Sequence, residues 1–246
     1  MGMTAVMQPY LFPYIGYFQL VAAVDHFIFY DDVQYINDGW INRNRLPHGW
    51  FTVPVAADHL SVPIKDRRVA LGPYRHFRRK WLKGFEQRYR RAPYYLAVRE
   101  LVDQVFVAEP NTIGWMAQRS VRSTSAYLGL DPRFSVSSAL DYDRELPTQD
   151  KLLSLLLKYG AKRYVNQVGG RHLYQSPAFA DNSIELNFLH SCLDYAADGP
   201  GFGFSILHLL AHHSPLQCQQ WLSRYTMQTP SHEPAHLSAP QGDPIR

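Results

Sequence analysis

The sequence has little cysteine and no hydrophobic run long enough to cross a bilayer. Cys192 and Cys218 are its two cysteines among 246 residues, so a disulfide framework is excluded and a reducing compartment is indicated. The longest aliphatic stretch, residues 152–157, falls far short of the roughly 18 residues that a membrane-spanning helix needs. The first residues also lack the basic leader of an export signal. We therefore expect a soluble, cytoplasmic protein without membrane insertion.

Several motifs of common enzyme classes are missing as well. No Gly-x-Gly-x-x-Gly follows the first predicted strand, and no phosphate-binding loop of the Gly-x-x-x-x-Gly-Lys type occurs. Ser205 lies in Gly-Phe-Gly-Phe-Ser-Ile, which is not the Gly-x-Ser-x-Gly turn of serine hydrolases. His208, His212 and His213 share an apolar helix, with no carboxylate at ligand spacing beside them. We predict neither a cofactor nor a metal site.

What the chain does have is enough apolar surface for one sizeable domain. Hydrophobic residues make up 46% of the sequence and aromatic residues 14%, which supplies a core and the lining of a pocket. Residues 226–246 carry four prolines and few side chains able to pack. We predict a single α/β domain over residues 1–225, followed by a disordered tail over residues 226–246.

Short apolar strands and amphipathic helices alternate along the predicted domain. The predicted strands are residues 4–8, 26–30, 51–55, 134–137, 163–166 and 184–188. Helices are predicted at residues 13–23, 93–106, 112–128 and 148–159, with a further basic helix that begins at about residue 73. Consecutive helices therefore form an insertion over about residues 73–130. The pattern predicts a mainly parallel, Rossmann-like sheet with helices on both faces.

Positive charge is concentrated in this helical insertion. Residues 65–99 contain twelve Lys or Arg against two acidic residues, a balance of +10, whereas the whole chain is +4, so the remainder sums to −6. One interpretation is a solvated, arginine-rich helix. The other is a surface that binds phosphates or an acidic protein, favoured by aromatic residues interleaved at helical spacing. Its candidate partner-binding residues are Arg75, Arg78, Arg79, Lys80 and Lys83.

Polar side chains follow the first two predicted strands. In open α/β sheets, ligands bind in the crevice beyond the carboxyl ends of the strands. Amide, guanidinium and phenol groups there can bind carboxylates, phosphates or sugar hydroxyls, although the asparagines can also simply stabilise loop turns. The candidate substrate-binding residues are Gln8, Tyr10, Tyr14, Tyr17, Gln34, Trp40, Asn42, Arg43 and Asn44.

Three residues are candidates for acid–base chemistry. Asp31 and Asp32 follow the second strand, and because strand side chains alternate, the two carboxylates should leave on opposite sides. One carboxylate could orient or deprotonate an amine, a pair sharing a site could hold Mg²⁺, and an aspartate could also merely cap a turn. His76 is an alternative base if neighbouring cations keep it neutral, or else an ordinary histidine without a catalytic role.

Several of these segments together are similar to a known family. The run Val-Met-Gln-Pro-Tyr-Leu-Phe-Pro-Tyr-Ile-Gly-Tyr-Phe-Gln-Leu at residues 6–20, with Asp-Asp-Val-Gln-Tyr at 31–35 and Asn-Arg-Asn-Arg at 42–45, resembles the WbqC-like proteins. The resemblance extends over residues 4–222. It implies a role in bacterial surface-polysaccharide assembly and glycine transfer, in which an aminoacyl group and an amino sugar are joined by an amide.

Three functional hypotheses follow. The first is a transferase that moves an activated acyl group from a carrier-protein thioester or a tRNA, bound by the basic surface, to an amine such as an amino sugar. The second is an ATP-dependent ligase or nucleotidylyltransferase-like enzyme, in which the pair Asp31 and Asp32 would hold Mg²⁺ and basic residues would bind the triphosphate. The third is a non-enzymatic module that binds an acidic partner through the basic surface alone.

Overall fold

A six-stranded sheet forms the centre of the computed structural model, which describes residues 2–59, 61–194 and 200–230. The strands are β1 (Met3–Met7), β2 (His26–Phe29), β3 (Arg43–Leu46), β4 (Gly49–Thr52), β5 (Arg133–Val136), β6 (Arg163–Gln167), β7 (Glu185–Ser191) and β8 (Tyr225–Gln228). The main sheet has the order β5-β2-β1-β6-β7-β8, and β3 pairs with β4 as a separate antiparallel hairpin. All neighbours in the main sheet are parallel except β7 and β8.

Helices cover both faces of this sheet. They are α1 (Ile15–Ala22), α2 (Leu71–Tyr89), α3 (Tyr95–Val105), α4 (Ile113–Tyr127), α5 (Thr148–Tyr159), α6 (Ser176–Asp181), α7 (Ile206–His212) and α8 (Pro215–Leu222). Within the part of the chain that the structure describes, none of the helices is long and apolar enough to cross a membrane.

The strands divide the core into two layers because their side chains alternate between faces. Ala5 and Phe27 pack into the larger cluster with α1, α2, α3, α4 and α7, whereas Val6 and Ile28 pack into the smaller cluster with α5 and α6. Strands that are buried on both faces read as continuous apolar runs, as in His26–Phe29. The predicted fold class, with a mainly parallel sheet covered on both faces and a helical insertion, is therefore confirmed.

The strand order identifies where ligands bind in folds of this type. Counted along the chain, the main-sheet strands lie in the order third, second, first, fourth, fifth, sixth, which is the doubly wound arrangement. The direction of winding reverses between β1 and β6, and a crevice opens at the carboxyl ends of strands at such a point. The loop after β1 and the segment after β6 border this switch point.

Two features differ from the sequence-based expectation. Residues 226–228, predicted to belong to the tail, form β8, which pairs with β7 from Phe188 to Ser191. Backbone hydrogen bonds to the buried strand β7 allow this polar segment to form the edge strand of the sheet. The rest of the predicted tail, residues 231–246, lies outside the described residues. The hairpin β3–β4 is the second difference, because only its second strand was anticipated.

The aromatic side chains of α2 point inward rather than toward a partner. Tyr74, Phe85 and Tyr89 are buried, and Trp81 stacks on Phe85 at 5.0 Å between ring centroids. Trp81 also meets Phe51 of β4 at 5.3 Å. Because helical spacing places these rings on one face of α2, they join the helix to the hairpin. The aromatic spacing that favoured a binding surface therefore reflects packing between α2 and the hairpin.

Candidate functional site

Asp31 and Asp32 lie at the carboxyl end of β2 and contact different layers of the molecule. The Asp31 carboxylate accepts a hydrogen bond from Gln118 of α4, on the larger cluster's side. The Asp32 carboxylate accepts from Tyr142, which belongs to the smaller cluster. The predicted alternation of the two side chains is therefore confirmed. Ser137, which follows β5, reaches both carboxylates.

The Asp31 carboxylate is held by four hydrogen bonds. Ser138 donates from its backbone nitrogen at 3.0 Å and from Oγ at 3.1 Å, Gln118 Nε2 lies at 3.1 Å, and Ser137 Oγ lies at 3.2 Å. Asp31 itself is 3% exposed, but Gln118 and Ser138 are only half-buried. Two of its donors, Gln118 and the Ser138 hydroxyl, are therefore half-buried side chains rather than core groups.

Asp32 is bound more tightly and on all sides. Tyr142 Oη lies 2.9 Å from both carboxylate oxygens, Arg144 Nε lies at 2.8 Å and Ser137 Oγ at 2.5 Å. The Asp32 side chain is 3% exposed. Arg144 also donates to the Leu140 carbonyl at 2.7 Å, so the ion pair ties the segment after β5 to the end of β2. Charge-assisted bonds of this kind make Asp32 an anchor.

The surrounding phenols remain neutral hydrogen-bond donors. Burial and then the hydrogen bond to Asp32 raise the pKa of Tyr142 far above its ordinary range. Burial and then the charge of Asp32 raise the pKa of Tyr30 to about 12. The hydrogen bond to Asp32 also raises the pKa of the Arg144 guanidinium, which stays charged. This side of the site therefore carries a permanent ion pair and protonated phenols.

A second polar group lies at the switch point. Tyr14 Oη donates to Gln167 Oε1 at 3.0 Å, and Gln167 Nε2 donates to the Gly16 carbonyl at 2.8 Å, which joins the end of β6 to the start of α1. Tyr17 is buried and donates to the Gln8 carbonyl at 2.8 Å. Burial raises the pKa of Tyr17 well above its ordinary value. Tyr14 and Gln167 thus join the two segments that border the switch point, and Tyr17 holds the end of β1.

The β1–α1 loop is held in an uncommon backbone conformation. Phe12 has φ of +44°, a region that bulky side chains rarely adopt. Its carbonyl accepts from Asn44 Nδ2 at 2.7 Å and from Ser205 Oγ at 2.8 Å, and its nitrogen donates to Ser120 Oγ at 2.9 Å. Hydrogen bonds from the hairpin, α4 and the segment before α7 thus compensate for the strain. Conformations of this kind persist where a loop must hold one shape.

The two predicted asparagines face the protein interior. Asn42 Nδ2 donates to the Val53 carbonyl at 2.9 Å, and Asn44 Nδ2 donates to the carbonyls of Leu11 and Phe12. Both residues are buried. The structure therefore uses their amides to hold backbone, and it places them beneath the crevice. Asn44 lies on the buried face of β3, where a polar side chain needs a hydrogen-bond partner, and Asn42 directly precedes the strand.

The remaining candidate substrate residues lie around the mouth of the crevice. Gln8 and Tyr10 are half-buried at the end of β1, and Gln34 is exposed beside a backbone bridge to Pro63. Trp40 is half-buried, and its carbonyl accepts from the Leu11 nitrogen at 3.3 Å. Arg43 projects from the outer face of the hairpin. The loop after β1, the loop after β2 and the hairpin thus lie side by side.

His76 lies apart from the aspartates. It is exposed on α2, and its ring nitrogen lies 3.5 Å from Arg79. Among the described residues, the side-chain hydrogen bonds of Asp31 and Asp32 come from α4 and from residues 137–144, and His76 makes none of them. The structure therefore brings the two aspartates together but not the third candidate base.

The predicted basic surface divides into paired and unpaired cations. Arg75 forms an ion pair with Glu109, and the half-buried Arg78 donates to the Phe106 carbonyl. Arg79, Lys80 and Lys83 are exposed, and no carboxylate oxygen of the described residues lies within ion-pair distance of them. These last three, which we call the α2 cations, therefore carry the available positive charge of the helix.

An open cleft of about 640 Å³ lies next to α5, on the Tyr142 side of Asp31 and Asp32. Tyr142, the partner of Asp32, forms part of its wall together with three aspartates, Asp141, Asp143 and Asp150. Among the residues that the structure describes, no three His, Cys, Asp or Glu side chains converge in the way that a metal ion would need.

The sequence did not predict the main hydrogen-bond partners of the two aspartates. Gln118, Ser137 and Tyr142 lie 87 to 110 positions from the aspartates they contact. Nothing local to those residues marks them as part of a site. The parallel pairing of β5 with β2, which the sequence did not predict, brings the segment after β5 to the same edge as the two aspartates.

Comparison with known proteins agrees with this architecture. The family model described as "WbqC-like protein family" matches residues 8–220. A protein of Mycobacterium tuberculosis (strain ATCC 25618 / H37Rv), Uncharacterized protein Rv1507c, is 28% identical over 219 residues, which cover 85% of this chain and 93% of the relative. No solved structure matches the chain significantly. The chain belongs to the WbqC-like protein family.

Proposed function

We propose that the protein is a transferase that joins an activated acyl or aminoacyl group to an amine, with Asp31 as the proton acceptor. The observation that carries this proposal is the environment of the Asp31 carboxylate. It lies at the carboxyl edge of a doubly wound sheet, buried, yet covered by the half-buried side chains of Gln118 and Ser138. A carboxylate whose outer donors can be exchanged for an amine is suited to general base catalysis.

The reaction balances with a single proton acceptor. The amine nitrogen attacks the carbonyl carbon of the donor, a nitrogen–carbon bond forms, and the bond from that carbon to the sulfur or oxygen of the donor breaks. The proton lost by the nitrogen passes to Asp31 and then to the departing thiolate or alkoxide. Gln8 and Tyr10, at the adjacent end of β1, supply polar groups for the developing oxyanion. Asp32 stays paired with Arg144 throughout.

The positive charge of α2 supports the proposed donor, and membership of the family supports the proposed acceptor. The α2 cations, Arg79, Lys80 and Lys83, favour a donor carried on an acidic protein or on tRNA. Membership of the family supports an amino sugar as the acceptor. Both substrates would meet the enzyme in the cytoplasm, which fits a chain with two free cysteines.

The test is to mix the protein with a glycyl donor and an amine and to follow the intact mass of the product. The donor is supplied either as a carrier-bound thioester or as glycyl-tRNA, and the amine is a small amine or an amino-sugar nucleotide. We expect a product equal to acyl group plus acceptor, formed without ATP. No product from either donor with any acceptor would contradict the proposal.

The role of Asp31 is tested with a matched pair of variants. Asp31→Asn should lower turnover about 100-fold or more, because general base catalysis contributes on this scale. Asp141→Asn, at an exposed aspartate of the neighbouring cleft, should leave turnover unchanged. Equal activity of both variants would exclude Asp31 as the base.

An ATP-dependent ligase is a second candidate, favoured by the strand order. The doubly wound order, with its switch point between β1 and β6, is an arrangement in which α/β enzymes bind nucleotides. In this case product would form only with ATP and Mg²⁺, and pyrophosphate or phosphate would be released with it. The same mass experiment, run with and without ATP, separates the two candidates.

A further inference from the structure

The hairpin β3–β4 has two chemically different faces. Residues directly opposite in an antiparallel pair share a face, and Asn44 pairs with Phe51 while Arg45 pairs with Trp50. The face of Asn44 and Phe51 is buried against the β1–α1 loop and α2. The opposite face carries Arg45, Trp50 and Arg43, none of which packs into the core. This outer face combines cations with an indole ring.

Two tryptophans form an exposed aromatic pair on this face. The Trp50 side chain is 52% exposed, which is unusual for a residue of this size. The Trp40 ring lies against it at 5.3 Å between centroids with an angle of 36°. The Arg43 guanidinium lies 4.9 Å from the centre of the Trp50 ring. A flat, rigid and partly solvated ring beside a cation is the usual platform for stacking a planar ligand.

The two guanidinium groups on this face have hydrogen-bonding capacity that the described protein does not use. Arg45 lies over Phe204 at 5.3 Å, its Nε is buried without a hydrogen-bond partner, and no described carboxylate is within ion-pair distance of it. Arg43 also has a buried Nε without a partner, and its ion pair is with Asp38, whose side chain is 89% exposed. Exposed ion pairs contribute little energy. Arg45 is therefore available to an anionic ligand, and Arg43, which also donates to the Asp38 carbonyl, can bind one in exchange for its contacts with the exposed Asp38.

This face adjoins the candidate active site. The Arg45 carbonyl accepts from the Ser205 nitrogen at 2.9 Å, and Ser205 in turn bonds the Phe12 carbonyl of the β1–α1 loop. The Trp40 carbonyl accepts from the Leu11 nitrogen of the same loop. A ligand held on this side of the hairpin thus lies next to the segment that borders the switch point.

We propose that this surface is a binding site for a nucleoside diphosphate. The surface, which we call the nucleotide face, consists of Trp40, Arg43, Arg45, Trp50 and Phe204. The nucleobase stacks on the exposed side of Trp50, and the two guanidinium groups bind the phosphates, since arginine matches phosphate geometry in a bidentate manner. One exposed ring and two guanidinium groups, of which Arg43 is held by the exposed Asp38, match one base and one diphosphate. A longer nucleic acid would need a series of stacking rings.

The inference goes beyond the proposed function, because the nucleotide face contains neither Asp31 nor its hydrogen-bond partners. Binding can therefore be measured without any turnover. If the nucleotide face binds its ligand but no acyl transfer is found, the proposed function fails while this inference stands. The reverse result is equally distinguishable.

The test is titration of the full chain with UDP, ADP, GDP and CDP by calorimetry, with the fluorescence of the tryptophans as a second readout. We expect saturable binding of at least one diphosphate, about tenfold or more tighter than binding of its nucleoside or of pyrophosphate, because each lacks one of the two contacts. Trp50→Leu and Arg45→Gln should each weaken this binding about tenfold. Arg43→Gln provides a further variant in case one of these does not fold.

A second cation–tryptophan pair serves as the control. Arg119 lies over the exposed Trp115 of α4 at 5.1 Å, and it lies outside the nucleotide face. Trp115→Leu and Arg119→Gln should leave the affinity unchanged within about twofold. The proposal is overturned if no diphosphate binds, or if the Trp115 and Arg119 variants change the affinity as much as the Trp50 and Arg45 variants do. It is overturned equally if a CCA trinucleotide binds more tightly than every diphosphate, since the occupant would then be an RNA end.

Discussion

Asp31 and Asp32 leave β2 on opposite sides and are joined through one hydroxyl group, since Ser137 Oγ lies 3.2 Å from Asp31 Oδ1 and 2.5 Å from Asp32 Oδ1. The shorter contact and the ion pair with Arg144 mark Asp32 as the carboxylate that is held permanently. Asp31 keeps the partners that a ligand can replace. The geometry thus separates two neighbouring aspartates into an anchor and a candidate base.

The anchoring role of Asp32 predicts a loss of stability on substitution. Asp32→Asn removes the charge that binds Arg144 and Tyr142, so we expect the free energy of unfolding to fall by about 1–3 kcal/mol. Urea denaturation measures this change. Asp141→Asn, at an exposed aspartate, should change stability by less than about 0.5 kcal/mol. Equal free energies of unfolding for the two variants would show that Asp32 does not stabilise the fold in this way.

The strained conformation of Phe12 predicts coupling between residues distant in sequence. Asn44→Ala and Ser205→Ala each remove one donor to the Phe12 carbonyl, and each should cost about 1–3 kcal/mol. Because the two donors share one acceptor, the double variant should differ from the sum of the single changes by at least about 0.5 kcal/mol. A double-mutant cycle by denaturation tests this. Strict additivity would show that the two bonds act independently.

The buried His26 and the half-buried His208 predict a stability that depends on pH. Burial and then the charge of Arg133 lower the pKa of His26 to about 4, and burial with neighbouring histidines lowers the pKa of His208 to about 4. Between pH 4 and the ordinary histidine pKa of about 6.5, the unfolded chain binds more protons than the folded one. Stability is therefore complete above this window and is lost as the pH falls through it, by up to about 1.4 kcal/mol per pH unit for each histidine.

The measurement is the urea midpoint as a function of pH for the wild type and for His26→Gln. The variant should show a shallower slope between pH 4 and 6.5, because one of the two titrating groups is absent. His59→Gln, at an exposed histidine, is the control and should keep the slope of the wild type. A wild-type midpoint that does not change over this range would contradict the prediction.

The α2 cations predict an effect on association without an effect on folding. A combined Arg79→Ala, Lys80→Ala and Lys83→Ala variant should keep its free energy of unfolding within about 0.5 kcal/mol, since these side chains are exposed. Its association rate with an acidic carrier protein or tRNA should fall, and the dependence of that rate on salt should weaken. Stopped-flow binding at two salt concentrations measures both. An unchanged association rate at low salt would show that the α2 cations do not take part in docking.

The sequence by itself determined the fold class and the edge of the sheet at which the site lies. Both follow from local patterns, because apolar runs such as Phe27–Phe29 report burial on two faces and polar residues directly after them mark strand ends. It also determined that Asp31 and Asp32 face different layers, since alternation is a property of any strand. None of these conclusions required knowledge of distant contacts.

Only the tertiary structure decided what each polar residue does. Gln118, Ser137 and Arg144 reach the aspartates from 87 to 112 positions away, and no periodicity encodes such a meeting. The same contacts turned Asn44 inward, where its amide holds Phe12, and left Arg45 of the same strand on the outer face. The physical reason is that a hydrogen bond or a free charge depends on which side chains the folded chain brings within about 3 Å.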